Sequence, residues 1–174
     1  MTNLKVAEAL LGDSDEAIPV IEYCLGAWRG SGAASSLTQF GLGLALAHRK
    51  AGRTAAALET IDAALADADA AGERFVQPEL HRVRGELLAD IDPFDLQALV
   101  ELQRAVEVAA SQGARSLELR ALTSIQRHHQ ASGFGTSVVV RLTALADEID
   151  PSGVDPEPVL ADARAIGTRV GGPL

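Results

Sequence analysis

The chain repeats itself with a period of about 41 residues. The matched positions run from one apolar stripe through a glycine turn into the next segment. They pair Ala57 with Ala98, Leu58 with Leu99, Ile61 with Leu102, Ala64 with Ala105, Leu65 with Val106, Ala68 with Ala109, Gly72 with Gly113 and Arg74 with Arg115. A helix pair cannot bury its apolar stripe alone, so repeated pairs stack on one another. The repeat therefore predicts an α-solenoid.

Composition agrees with helices. Apolar residues make up 47% of the chain and aromatic residues only 3%, and alanine and leucine favour helix. The one β-branched run is Val138–Val140, and no Asn-Gly or Asp-Gly hairpin turn occurs. We predict an all-α fold of about seven to nine antiparallel helices. The predicted spans are residues 3–11, 14–30, 36–51, 54–71, 77–90, 95–112, 116–131, 136–148 and 155–166.

The chain is predicted to be one helical-repeat domain, residues 1–174. Residues 1–32 would cap the array, residues 33–148 would form helix pairs, and residues 149–174 would add a short helix and a tail. Apolar spacing places Trp28, Ile91, Val139 and Val140 against the core. Gly85 interrupts a helix, which costs about 1 kcal/mol relative to alanine. We expect a neighbouring helix to approach it closely.

The net charge, the single cysteine and the N-terminal sequence argue against several classes of protein. The formal net charge of −9 argues against a nucleic-acid partner and against an anionic membrane surface. The single cysteine, Cys24, cannot form an internal disulfide and is expected to be a buried structural thiol. The N-terminal residues lack the basic start and apolar core of a signal peptide. These features predict a cytoplasmic protein.

Four stretches carry a resemblance to a known family. They are AGRTAAALETIDAAL at 51–65, GERFVQPELHRVRGELL at 72–88, RAVEVAASQGARSLELRAL at 104–122 and, more loosely, DPEPVLADARAI at 155–166. Here the chain resembles tetratricopeptide-like arrays, in particular the C-terminal repeats of bacterial, often actinobacterial, signalling ATPases linked to cyclase or LuxR-type domains. It departs from them at residues 134–140 and in its longer period. It also lacks a phosphate-binding loop, paired cyclase aspartates and a basic recognition helix.

The resemblance implies a regulatory or adaptor protein, connected with signalling or transcriptional regulation, that binds a protein or peptide on its concave face. It places eight residues on that face: Gln39, Arg49, Lys50, Glu79, Arg82, Glu86, Arg115 and Glu118. Arg82 can hold a carboxylate with two parallel hydrogen bonds. Alternatively, Glu79–Arg82 and Arg82–Glu86 are ordinary helix ion pairs that bind nothing else.

No set of residues predicts catalysis, a metal or a cofactor. His128 and His129 point about 100° apart on a helix, so they cannot share a metal by themselves. His81 is expected to be a packed histidine, Tyr23 and Trp28 to pack in the core or anchor a partner, and the run Asp62, Asp67 and Asp69 to form a solvated face.

Three hypotheses for function remain. The first is a non-enzymatic module that binds a protein or peptide. The second is a helical scaffold that binds or transforms a small molecule between its helices. The third is self-association into a homodimer through the ends of the array. A deep pocket near Arg82 would favour the second, and an open groove with apolar strips would favour the first.

Overall fold

The computed structural model describes residues 14–31, 37–133, 137–150 and 158–170. Within these residues the chain is all-α, without a strand. The helix predicted for residues 3–11 lies outside the described residues. The helices are α1 (Ser14–Ser31), α2 (Leu37–Lys50), α3 (Thr54–Ala71), α4 (Gln77–Ile91), α5 (Leu96–Ser111), α6 (Arg115–Ser132), α7 (Val139–Ile149) and α8 (Pro158–Val170).

The signals that end and begin helices act as the sequence predicts. Gly72 and Gly113, one repeat apart, end α3 and α5 with φ of 65° and 66°, a conformation that glycine adopts without steric cost. Pro78 lies in the first turn of α4, where its missing N–H costs little. The Asp95 side chain caps α5 by accepting a 2.8 Å hydrogen bond from the backbone N–H of Gln97.

The repeat is also visible in burial. Ala57, Ile61, Ala64 and Ala68 on α3 are buried. Their counterparts on α5 are buried as well: Ala98, Leu102, Ala105 and Ala109. The same stripe of each unit therefore faces the interior. The stripe is largely alanine, which lets the neighbouring helices approach closely.

Each helix packs against the next along the chain. Among the even-numbered helices, α2 also packs against α4, α4 against α6, and α6 against α8. Within the described residues, the backbones of the odd-numbered helices do not approach one another in this way. The even-numbered helices therefore lie side by side, and residues on their common face can meet across three or four helices.

The core consists of successive clusters along the chain. Ile18, Ile21, Leu25, Phe40 and Leu44 join α1 to α2. A second cluster joins α2, α3 and α4, and includes Ile61, Leu80, Val83 and Leu87. A third joins α6, α7 and α8, and includes Leu119, Leu122, Leu142, Leu145 and Leu160.

Gly85 meets the expectation of close helix approach. A Cβ atom built on it would lie 2.8 Å from Cγ of Leu102 and 2.9 Å from the backbone oxygen of Ala98. Both contacts are with α5. Because Gly85 has no side chain, α4 and α5 can pack at this distance. The close packing offsets the lower helix propensity of glycine.

Several predicted core positions are wrong. Ile91 is exposed because it is the last residue of α4, beyond the turn that packs on α5. Val140 is exposed because α7 begins at Val139 and turns Leu142, Leu145 and Ala146 inward instead. Tyr23 is exposed, so its core packing is wrong while the alternative of a partner anchor stays a prediction, and Cys24 is half-buried rather than buried.

Candidate functional site

Glu79, Arg82 and Glu86 lie on one face of α4 because residues three and four apart share a helix face. The Arg82 guanidinium donates to both Glu79 oxygens, with Nη2–Oε2 at 2.8 Å and Nε–Oε1 at 3.1 Å. Its Nη1 donates to Glu86 Oε1 at 2.5 Å. The sequence predicted that these residues form a surface constellation with Arg115 and Glu118. This is wrong for three members, since Glu79 is only 7% exposed, Arg82 8% and Glu118 2%.

Neighbouring helices extend this arrangement. Arg49 of α2 pairs with Glu86 and, at 2.7 Å, with Asp90. Two residues of α6 complete it. Ser124 Oγ donates to Glu86 Oε1 at 2.5 Å, and Arg120 lies 3.2 Å from Glu79. We call the whole set the Arg82 cluster: Arg49, Glu79, Arg82, Glu86, Asp90, Arg120 and Ser124.

The charges of the Arg82 cluster compensate one another. Arg49, Arg82 and Arg120 face Glu79, Glu86 and Asp90, so cations and carboxylates are equal in number. A buried charge is tolerated when it is paired and hydrogen-bonded in this way. The cluster joins α2, α4 and α6, and its buried charges, those of Glu79 and Arg82, are bonded within it.

The surroundings of Glu86 and Arg82 shift the pKa of each side chain in the direction that keeps it charged. Burial alone would raise the pKa of Glu86, but attraction to Arg82, the Ser124 hydrogen bond and Arg49 outweigh burial, so its pKa lies below the usual range. Burial alone would lower the pKa of Arg82, but its bonds to Glu79 and Glu86 raise it overall. A general acid or base works best with a pKa near the working pH, and neither group has one.

Arg115 and Glu118 are not bonded within the Arg82 cluster. Glu118 is 2% exposed and pairs with Arg141 of α7. Arg115 Nη1 lies 2.6 Å from Glu148 Oε2, and both side chains are exposed. The predicted face is therefore divided: one part reaches from α2 to α6, and the other connects α6 to α7.

An open, mostly apolar groove of about 470 Å³ lies where α2, α4 and α6 begin. Three predicted residues line it: Gln39, Glu79 and Arg115. Phe75, which precedes α4, is 70% exposed there. We call this the apolar groove, and its lining is Gln39, Leu42, Phe75, Val76, Glu79, Ala114, Arg115, Ser116 and Leu117.

A second, more polar cavity of about 340 Å³ lies toward the other end of α4 and α6. Its lining includes Arg49, Glu86, Asp90, Ser124 and His128. His128 is buried, and its Nδ1 has no hydrogen-bond partner. Burial and, secondarily, the neighbouring His129 lower the pKa of His128. We call this the polar cavity.

Metal binding has no support in the described part of the chain. There, no group of three or more histidine, cysteine or carboxylate side chains is placed to hold a metal ion. His128 and His129 point in different directions from adjacent helix positions. Of the described helices, none is long and apolar enough to cross a membrane.

The remaining singled-out residues have structural contacts. His81 Nδ1 lies 2.8 Å from Glu101 Oε2, as expected of a packed histidine. Trp28 packs against Phe40, with ring centroids 5.9 Å apart. The predicted solvated face is confirmed in that Asp62 and Asp69 are exposed and Asp67 is partly exposed. These carboxylates also have partners: Asp62 pairs with Arg84, Asp67 with Arg29, and Asp69 accepts from Gln77. Lys50 is exposed at the end of α2.

Sequence reasoning missed Phe75, Asp90, Arg120 and Ser124. Asp90 follows Glu86 by one helical turn, so helical spacing could have found it. Phe75 lies between α3 and α4, where no such spacing applies. Arg120 and Ser124 meet α4 only through the packing of α4 against α6. No local signal marks them.

No protein-family model matches this chain, and comparison with curated proteins gives no significant match.

Proposed function

We propose that the chain is a non-enzymatic, tetratricopeptide-like helical-repeat module that binds a protein or peptide partner and serves as a regulatory adaptor. The side-by-side packing of α2, α4, α6 and α8 supports an α-solenoid. The even-numbered helices would then form the binding face, and the odd-numbered helices the outer layer.

The single observation that carries the proposal is the apolar groove. It is open, its lining is mostly apolar, and it contains the exposed Phe75. A large aromatic side chain exposed in a concave apolar site is typical of surfaces that bury it against a partner. Three helices contribute to the groove, so an extended or helical segment of a partner could contact all of them.

The Arg82 cluster has a different role in this proposal. Its cations and carboxylates already bind one another, so a ligand would have to replace bonds at least as good. We infer that the cluster fixes α2, α4 and α6 relative to one another and thereby sets the shape of the groove. Arg49, Glu79, Arg82 and Glu86 are then supporting residues, whereas Gln39 and Arg115 face the partner.

Photo-cross-linking in the native cells tests the proposal. A photoreactive residue is placed at position 75, in the apolar groove, or at position 100 as a control. Val100 is also a large exposed apolar residue, but it lies on α5, an odd-numbered helix. We expect position 75 to capture a defined protein that position 100 does not. Equal capture at both positions, or none at position 75, would contradict the proposal.

A small-molecule function is the second candidate, and the polar cavity favours it. Buried polar atoms usually have partners, yet His128 Nδ1 has none. Native mass spectrometry of the protein from its own cells provides the test. A bound compound that is lost in His128→Phe but kept in Phe75→Ser would favour this candidate over the adaptor function.

A further inference from the structure

Arg115 belongs to two cavities. It lines the apolar groove and also a cavity of about 380 Å³ beside α7. We call the latter the α7 cavity, and its lining is Arg115, Ser137, Val138, Val140, Arg141, Ala144, Leu145 and Glu148. The two cavities therefore adjoin at one cationic side chain.

Each cavity has a large apolar side chain that is left in solvent. Phe75 in the apolar groove is 70% exposed, and Val140 in the α7 cavity is 84% exposed. Val140 was predicted from its sequence to face the core, so its exposure is a departure from the apolar pattern. Phe75 and Val140 therefore form two exposed apolar patches, and Arg115 lines the cavities of both.

Exposed cations outnumber exposed carboxylates at this surface. Arg120 and Arg141 are exposed, and the carboxylates that they contact, Glu79 and Glu118, are buried. Arg115 is also exposed, and its partner Glu148 is the one exposed carboxylate among these ion pairs. Arg74, directly before Phe75, is exposed, and none of the ion pairs found among the described residues involves its side chain. This local positive charge contrasts with the net charge of −9 of the whole chain.

The bond that Arg115 makes is easily exchanged. Its partner Glu148 is on α7, and both side chains are more than half exposed. Exposed ion pairs of this kind contribute little to stability. A carboxylate from a ligand can take the place of Glu148 and gain a charge-assisted hydrogen bond in a site that the ligand itself shields from water.

We infer that the apolar groove and the α7 cavity together bind one acidic, amphipathic peptide segment of a partner protein. An apolar side chain occupies each cavity, and an acidic residue between them pairs with Arg115. The inference rests on the proposed function, because it specifies the partner of the same face. It adds the chemistry of recognition: apolar, acidic, apolar.

Fluorescence anisotropy with labelled synthetic peptides tests the inference. The first series has two leucines flanking a glutamate, with the spacings between them varied. The second series has lysine in place of the glutamate, and the third has serine in place of both leucines. We expect the best peptide of the first series to bind at least about tenfold more tightly than its counterparts in the other two.

Two charge-reversal variants provide the matched comparison. Arg115→Glu alters the proposed site. Arg104→Glu is the control, since Arg104 on α5 is similarly exposed and also pairs with one exposed carboxylate, Glu107. We expect Arg115→Glu to weaken glutamate-peptide binding about tenfold or more and to improve lysine-peptide binding, and Arg104→Glu to do neither. The reversal of preference separates a direct contact from loss of folding.

The other outcomes overturn the inference. Equal binding of the glutamate and lysine series, equal effects of the two variants, or no binding in any series would each contradict it. A concentration-dependent dimer in sedimentation that is lost in Phe75→Ser would assign the groove to a second copy of the chain instead. If position 75 still cross-links a defined protein in cells while Arg115→Glu changes nothing, the proposed function stands and only the acidic specificity fails.

Discussion

The Arg82 cluster and the apolar groove share the same helices but differ in how their groups are satisfied. In the cluster, Arg82 and Glu79 are buried and bonded to each other. In the groove, Phe75 is in solvent, and Arg115 holds only an exposed carboxylate. A ligand offers the cluster few new bonds, whereas a mutation in the cluster should lower the stability of the fold. A ligand can bury the exposed groups of the groove, whereas a mutation there should leave stability nearly unchanged. The difference indicates that the Arg82 cluster holds the even-numbered helices together and that the apolar groove is the part of their face available to a partner.

Removing the central cation should produce the largest effect. Arg82→Met leaves the buried Glu79 and Glu86 without their main partner, and a broken buried ion pair costs about 3–5 kcal/mol. Arg49 and Arg120 still contact these carboxylates, so we expect about 3 kcal/mol of lost stability. Urea unfolding measures it. A loss below about 0.5 kcal/mol, the range of ordinary surface substitutions, would show that the cluster does not hold the helices.

A methyl group added where α4 packs on α5 should have the next largest effect. In Gly85→Ala the new Cβ would lie 2.8 Å from Leu102 Cγ, and overpacking of a core costs about 1–3 kcal/mol. The better helix propensity of alanine returns up to about 1 kcal/mol, so we expect a net loss of about 1–2 kcal/mol in thermal or urea unfolding.

Gly26→Ala on α1 is the control for that substitution. No atom lies within 4 Å of a Cβ built at Gly26. This variant should be unchanged or stabilised by up to about 1 kcal/mol. Similar losses in the two glycine variants would contradict the close packing of α4 on α5.

A substitution in the apolar groove should lower the affinity for a partner and leave the free energy of unfolding nearly unchanged. Phe75→Ser removes an exposed side chain, so the free energy of unfolding should change by less than about 0.5 kcal/mol. Loss of an aromatic anchor from an interface costs about 2 kcal/mol or more, which is roughly 30-fold in affinity. Unfolding and binding measured on the same preparation separate the two. A destabilised Phe75→Ser protein would mean that Phe75 belongs to the fold.

Acid should weaken the cluster in a predictable direction. The pKa of Glu86 is lower in the folded protein than in the unfolded chain, so the unfolded chain binds the proton more tightly. The stability that Glu86 contributes is therefore full above its unfolded pKa of about 4.3 and is lost as the pH falls through the folded value. Glu86→Gln should flatten the dependence of unfolding free energy on pH in this acidic range. An unchanged slope would contradict the lowered pKa.

The sequence predicted the repeating part of the molecule better than its face. Gly72, Gly113 and Pro78 act through backbone conformation, which is a local property, so the bounds of α3 to α6 follow closely from the sequence. The close approach at Gly85 was also foreseen, because a glycine within a helix needs a reason. Val140 failed because an apolar residue near a helix start can face either way, depending on where the helix begins.

The face could be predicted only in part. Spacing on α4 is sufficient to pair Arg82 with Glu79 and Glu86. Their burial is not a property of α4, since it depends on Arg49 of α2 and on Arg120 and Ser124 of α6. The apolar groove is harder to predict from the sequence than the cluster. Its residues Phe75, Leu42 and Leu117 are distant in sequence, and none is unusual alone. Which polar groups are left for a partner is decided by tertiary packing.

The most direct test compares the two regions in one experiment. Affinity capture from the native cells is carried out with wild type, Phe75→Ser and Glu86→Gln, each verified as folded by circular dichroism. The account predicts a partner protein that is retained by wild type and Glu86→Gln and lost from Phe75→Ser. Retention by Phe75→Ser together with loss from Glu86→Gln would contradict it and would place binding in the Arg82 cluster.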